Sequence, residues 1–217
     1  MSQNELKQQA ALAAIEYIKP DMIVGVGTGS TVNFFIEELA KVKAKIEAAV
    51  SSSQATTERL KALHIPVIPL DQAPSVDIYI DGADEVTKNK HMIKGGGAAL
   101  TGEKIVAACA KQFICVVDES KVVETLGAFP LPIEVIPMAR SYVAREMVKL
   151  GGTPEYRQGV VTDYGNHIID VRGLDLTDAL AMENRLNQIA GVVTNGIFAH
   201  RPADVVLVAS TQEVRSL

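Results

Sequence analysis

Between Asp81 and Glu103 the chain concentrates the side chains needed to move a proton beside a carbonyl. Asp81-Gly82-Ala83-Asp84-Glu85 sets Asp81 and Asp84 three positions apart in a glycine-containing loop, where both can converge on one small molecule. Lys94-Gly95-Gly96-Gly97 follows, and Glu103 lies in the helical pattern after it. Successive glycines carry a backbone entropy cost that close approach of peptide groups to a ligand would justify. Their N–H groups can form a nest that stabilises an oxyanion. A proton on the carbon next to a carbonyl is very weakly acidic. Removing it needs a positioned carboxylate base, and donors where negative charge develops on oxygen. A base that returns the proton to the neighbouring carbon interconverts an aldose and a ketose, with no redox cofactor.

Gly25-Val26-Gly27-Thr28-Gly29-Ser30-Thr31 is a further candidate, because it follows an apolar strand and opens a helix. Backbone N–H groups and the helix dipole there can point at an anion. It is not a dinucleotide fingerprint: Ser30 stands where the third glycine belongs, and Ser51-Ser52-Ser53 stands where a ribose-binding acid is expected. No Gly-Lys pair makes it a P-loop. Each segment also has a plainer alternative. The glycine turn can be only a tight connection, the acids a solvated loop or a magnesium site, and the triple glycine a flexible loop before an exposed glutamate.

Other chemistries are poorly supported. His64, His91, His167 and His200 are scattered without metal-ligand spacing. No G-x-S-x-G elbow is present. The net charge of −5 and pI near 5.4 argue against a nucleic-acid surface. Cys109 and Cys115, six positions apart, match neither a disulfide framework nor a zinc site and read as buried, reduced thiols. The longest apolar runs, 105–110 and 205–209, are far short of the roughly 20 residues of a membrane span. The opening Met1-Ser2-Gln3-Asn4-Glu5 has no basic region and no apolar core, so a cytoplasmic location is expected.

These groups need a scaffold. At roughly 150 residues per domain, 217 residues allow one large domain, or a medium one with a small companion. Leu6, Ala10, Ala13 and Tyr17 mark a first helix ending before Pro20. Strands are expected at 22–26, 48–51, 66–70, 76–80 and 113–117, with helices over 31–46, 54–63 and 98–111. That alternation indicates a mostly parallel sheet covered on both faces. Gly127 to Pro132 reads as a boundary, since two prolines and a glycine disfavour helix and central strand. Beyond it come strand 133–136, helix 139–150, strands 155–157 and 167–171, helix 179–189 and strand 192–198. This β-α-β-β-α-β order is ferredoxin-like. Strand 203–210 then rejoins the first sheet. The expected fold is therefore α/β: a Rossmann-like catalytic domain of residues 1–127 and 201–217, plus a smaller ferredoxin-like α+β domain of residues 128–200.

Taken in order, Gly25–Thr31, Ser51–Ser53, Asp81–Asp84, Lys94–Gly97 with Glu103, and Asp118-Glu119-Ser120-Lys121 resemble ribose-5-phosphate isomerase of the A type. The resemblance continues through Phe129-Pro130-Leu131-Pro132 to Arg140, Glu155 to Asp163, and Gly191-Val192-Val193, and so spans essentially the whole chain. It implies interconversion of ribose 5-phosphate and ribulose 5-phosphate through an enediolate, with Glu103 as the base. It implies that Asp81, Asp84 and Lys94 assist ring opening and proton movement at the sugar oxygens. Gly95, Gly96 and Gly97 would contact the developing oxyanion. Thr28, Gly29, Ser30 and Thr31 match the substrate-binding loop, beside Gly82 and Ala83, and Lys7 and Lys121 match basic residues at the substrate and its phosphate. By itself Lys7 reads as a surface lysine; its place in the site comes from the resemblance. No metal or cofactor is implied, and neither nucleic acid nor membrane is an expected partner. A homodimer is expected, with a homotetramer as the alternative.

Overall fold

The computed structural model describes residues 1–217. Its helices are α1 (Gln3–Ile15), α2 (Ser30–Lys41), α3 (Gln54–Ala62), α4 (Leu100–Cys109), α5 (Arg140–Lys149) and α6 (Ala179–Asn187). Its strands are β1 (Ile23–Val26), β2 (Ala48–Ser51), β3 (Val76–Asp81), β4 (Glu85–Val86), β5 (Met92–Ile93), β6 (Ala110–Asp118) and β7 (Leu131–Val135). They continue as β8 (Thr153–Tyr156), β9 (His167–Arg172), β10 (Val192–Asn195), β11 (Ile197–Phe198), β12 (Val205–Ala209) and β13 (Val214–Ser216). No helix is long and apolar enough to cross a membrane. The chain forms two compact units: Met1–Ala83 with Gly102–Val122 and Ala203–Leu217, and Asp84–Thr101 with Val123–Pro202.

The first unit is built on a sheet of order β13-β12-β6-β3-β1-β2, parallel except for β13. Its central strands are apolar on both faces, as a sheet covered on two sides requires. Leu6, Ala10 and Ala14 of α1 and Phe35 and Leu39 of α2 share one core with Val24, Val26, Ile78, Ile80, Ile114 and Val116. Strand alternation turns Gly25 and Tyr79 to the other face, where Val106 of α4 lies over Gly25. Because β1 is flanked by β2 and β3, the connections leaving it and returning diverge between β1 and β3, the place where open α/β sheets bind ligands.

The second unit holds an antiparallel sheet of order β10-β7-β9-β8, with α5 and α6 completing the expected β-α-β-β-α-β pattern. Ile133, Val135, Val143, Met147, Ile169, Val171 and Leu186 form its core. A small sheet, β11-β5-β4, belongs to the same unit.

Several expectations change. The strand expected at 66–70 is a single bridge from Val67 to Ala49, because Pro66 and Pro69 have no N–H for a ladder. The helix expected over 31–46 stops at Lys41, followed by a 3-10 turn at Lys43–Lys45. The strand expected over 192–198 is two strands in different sheets, β10 and β11. They part at Gly196, where a Cβ would lie 2.3 Å from the Lys94 carbonyl. Residues 84–101, placed with the first domain by sequence, belong to the second unit because β4 and β5 pair with each other and with β11. Cys115 is buried, but Cys109, in the last turn of α4, is exposed.

Candidate active site

The first unit gathers its polar groups at the carboxyl ends of parallel strands. Asp81 ends β3 and is completely buried. Its Oδ1 accepts from the Gly82 amide at 2.7 Å and the Thr28 amide at 3.1 Å, and its Oδ2 accepts from the Tyr79 hydroxyl. Asp81 thus ties the turn after β1 to the end of β3. The β1 glycines serve this arrangement sterically. Gly25 pairs with Tyr79 in register, and a Cβ there would lie 2.9 Å from the Tyr79 ring. A Cβ on Gly27 would stand 2.0 Å from the Asp81 carboxylate. Only Gly29, with φ 128°, supplies the turn conformation itself.

Glu103 is buried in the first turn of α4, closer to the helix start than the pattern suggested. Ala98 has φ 59°, which no continuing helix can contain, so α4 begins at Leu100. Burial first, then the charges of Asp81 and Glu103, push the Tyr79 phenol well above its ordinary range. Tyr79 is therefore a fixed, protonated donor flanked by two carboxylates. Beside it, Thr28 Oγ1 lies 2.9 Å from Ser52 Oγ and donates to Ser53 Oγ at 2.7 Å, while Thr56 Oγ1 donates to the Gly27 carbonyl at 2.7 Å.

Basic groups frame the same end of the sheet. Lys7 Nζ donates to Ser30 Oγ at 3.0 Å, at the first residue of α2. No side chain caps that helix start, so the N–H groups of its first turn, Thr31 among them, suit an anion. Lys121 closes the turn after β6, which Asp118 shapes by accepting from the Ser120 amide at 3.0 Å. Gly82 and Ala83 lie half-buried directly after Asp81.

The second unit holds the remaining expected residues. Asp84 Oδ2 accepts from the Gly96 amide at 2.8 Å. Lys94 is buried, with its ammonium 5.5 Å from the Phe198 ring centre and its amide bonded to the Gly196 carbonyl at 2.9 Å. Gly95 is buried with φ 107°, whereas Gly96 and Gly97 are exposed. No group of three or more His, Cys, Asp or Glu side chains is placed to hold a metal ion.

The family model of ribose 5-phosphate isomerase A (phosphoriboisomerase A) matches residues 48–213. The chain belongs to that family. It is thus an isomerase of pentose phosphate sugar metabolism. Ribose 5-phosphate isomerase A from Neisseria gonorrhoeae superposes with a TM-score of 0.97 at 47% identity, covering 100% of this chain and 97% of that one. A D-ribose-5-phosphate isomerase in complex with phospho-erythronic acid gives 0.97 at 42% identity, over 100% and 99% of the two chains. The enzyme from Methanocaldococcus jannaschii gives 0.94 at 40% identity, again over 100% and 99%.

Within this member of the family, sequence reasoning missed Tyr79, which stands two residues before Asp81 and therefore on the same strand face. It also missed Glu134, whose buried carboxylate accepts from Thr101 Oγ1 at 2.5 Å, Thr162 Oγ1 at 2.8 Å and Asn166 Nδ2 at 2.9 Å. Tyr79 had a signal in the strand period. Glu134 had none, since its partners come from distant segments.

Proposed function

We propose that the protein interconverts D-ribose 5-phosphate and D-ribulose 5-phosphate, with Glu103 as the proton-transferring base. In the open-chain aldose, Glu103 takes the proton from C2 and leaves an enediolate; it returns the proton to C1 while the O2 hydroxyl proton passes to O1. The observation that carries this reading is a buried carboxylate in the first turn of α4, close enough to Tyr79 to act on its phenol together with Asp81. A carboxylate held out of water keeps a fixed aim, which a general base requires.

Asp81, Asp84 and Lys94 serve ring opening and proton movement at the sugar oxygens. Backbone N–H groups of Gly95, Gly96 and Gly97 meet the charge that develops on oxygen. Thr28, Gly29, Ser30 and Thr31 bind the substrate beside Gly82 and Ala83. Lys7 and Lys121 supply positive charge for the phosphate, supported by the bond from Lys7 to Ser30 at the uncapped start of α2. The phospho-erythronic acid complex of a relative at 42% identity supports a sugar-phosphate ligand. The enzyme works in the cytoplasm as a homodimer, which light scattering on the purified protein tests.

NMR of the protein with ribose 5-phosphate and excess chelator tests the reaction directly: an approach to the aldose–ketose equilibrium is expected. Glu103→Gln should lower turnover at least about 10²-fold, the usual size of a general-base contribution, with binding retained. Near-normal turnover in that variant would remove Glu103 from the mechanism.

A further inference from the structure

Arg157, one residue past β8 in the second unit, has no role in the site as read so far. Its Nε donates to Asp170 Oδ2 at 2.8 Å and its Nη2 to Asp170 Oδ1 at 2.5 Å, a bidentate pair on β9. Its Nη1 donates to two successive carbonyls, Gly95 O and Gly96 O, each at 3.1 Å. Its own amide bonds to the Ile168 carbonyl at 3.0 Å, which anchors the base of the side chain. The two side chains are only 18% and 19% exposed, so the pair is mostly withdrawn from water and held in one plane.

We propose that Arg157, oriented by Asp170, is a positioning residue for the isomerisation: it sets the peptide planes of the Gly95–Gly97 run and, through Gly96, the Asp84 carboxylate. This rests on the reading of that run and of Asp84 as parts of the catalytic machinery. In a planar trans peptide the C=O and N–H point in opposite directions. Capturing the Gly95 carbonyl therefore turns the Gly96 N–H away from the guanidinium, and that N–H meets Asp84 Oδ2 at 2.8 Å. Capturing the Gly96 carbonyl turns the Gly97 N–H away likewise. Glycine has no Cβ to resist a peptide flip, so three in succession need an external clamp to present N–H groups in a constant direction. Gly95 O also accepts from the Ala98 amide at 3.0 Å, but the peptide between Gly96 and Gly97 takes its hold from Arg157. Lysine lacks the planar fork and cannot hold Asp170 bidentately while reaching both carbonyls.

The test compares Arg157→Lys, Arg157→Ala and Asp170→Asn with the parent and with Arg172→Lys, a nearby exposed position. Steady-state kcat and KM for ribose 5-phosphate are measured beside thermal melting. Misplacing a donor costs up to about 10²-fold, so Arg157→Ala is expected to lose about that much in kcat, with KM within about threefold. Arg157→Lys should lose at least about 10-fold for want of the fork. Arg172→Lys should match the parent. A cleft bordered by Glu155, Gln158, Asp170 and Arg172 opens onto position 157, so added guanidinium should reach the vacated space. About 50 mM, far below denaturing levels, should restore activity to Arg157→Ala at least about fivefold, and equal sodium chloride should not. A merely structural arginine would shift melting without these kinetic effects.

Folded Arg157 variants with kcat within threefold of the parent, or equal rescue by sodium chloride, would overturn the proposal. If Arg157→Ala does not fold, Arg157→Lys and Asp170→Asn, which keep the side-chain volume, decide it on the same kcat criterion. Glu103→Gln, assayed in parallel, separates the two levels. Loss of turnover there with normal Arg157 variants defeats only the positioning role, whereas normal turnover in Glu103→Gln removes Glu103 as the base and leaves the positioning role to be decided by the kcat of the Arg157 variants.

Discussion

Tyr79→Phe removes one oxygen from the centre of the first unit, and its consequences follow from its burial and two contacts. The phenol is fully buried, donates to Asp81 Oδ2, and its ring lies 4.9 Å from that of Phe113. Phenylalanine keeps the ring contact and leaves a gap of one atom. A hydrogen bond to a charged acceptor contributes about 1.5–3 kcal/mol. Asp81 retains the Thr28 and Gly82 amides, so the fold survives with a loss of about 2 kcal/mol at neutral pH. The pH dependence is the sharper signature. Burial, then the charges of Asp81 and Glu103, raise the phenol well above 10.0 in the folded protein. A group that holds its proton more tightly when folded contributes fully below the unfolded pKa and loses that contribution as pH rises toward the folded one. Tyr79 should therefore remove up to about 1.4 kcal/mol of stability per pH unit above about pH 10. Urea unfolding of parent and variant, followed by circular dichroism from pH 7 to 11, isolates this slope in the difference between the curves. The variant should be less stable at pH 7, and the gap should close above pH 10. Curves that stay parallel above pH 10, or a variant as stable as the parent at pH 7, would refute the assignment.

Gly27→Ala places a methyl group 2.0 Å from the Asp81 carboxylate and 2.6 Å from its Cβ, against a fully buried side chain. Overpacking of about 1–3 kcal/mol plus a displaced charge-assisted bond should cost at least about 3 kcal/mol in urea unfolding; a loss under 1 kcal/mol would contradict the packing described. Glu134→Ala strands the donors of Thr101, Thr162 and Asn166 in a buried space and should cost at least about 3 kcal/mol, with Glu134→Gln milder. Equal stability of the two variants would show that the charge, not the acceptor geometry, matters there.

Much of the scaffold was readable because it depends on local patterns. The apolar run into Gly25 and Gly27 marked β1, and the ferredoxin-like order followed from alternating periods. The proline and glycine stretch at Gly127–Pro132 instead lies inside the second unit, where Leu131 and Pro132 already belong to β7. Asp81, Asp84, Lys94 and Glu103 were legible as chemistry-bearing types in glycine-rich loops. Their surroundings were not. That Gly25 and Gly27 exist to seat Tyr79 and Asp81 depends on the register of β1 against β3, which joins residues more than fifty positions apart. That Glu103 falls in the first turn of α4 depends on the positive φ of Ala98, which the residue type does not announce. The hold of Arg157 on Gly95 and Gly96 likewise comes from segments some sixty residues apart. Which groups are present, and the local elements that carry them, could be read along the chain, since periodicity and turn chemistry act over a few residues. Which donor meets which carboxylate emerges only from the folded molecule, because register and packing are properties of distant segments brought together.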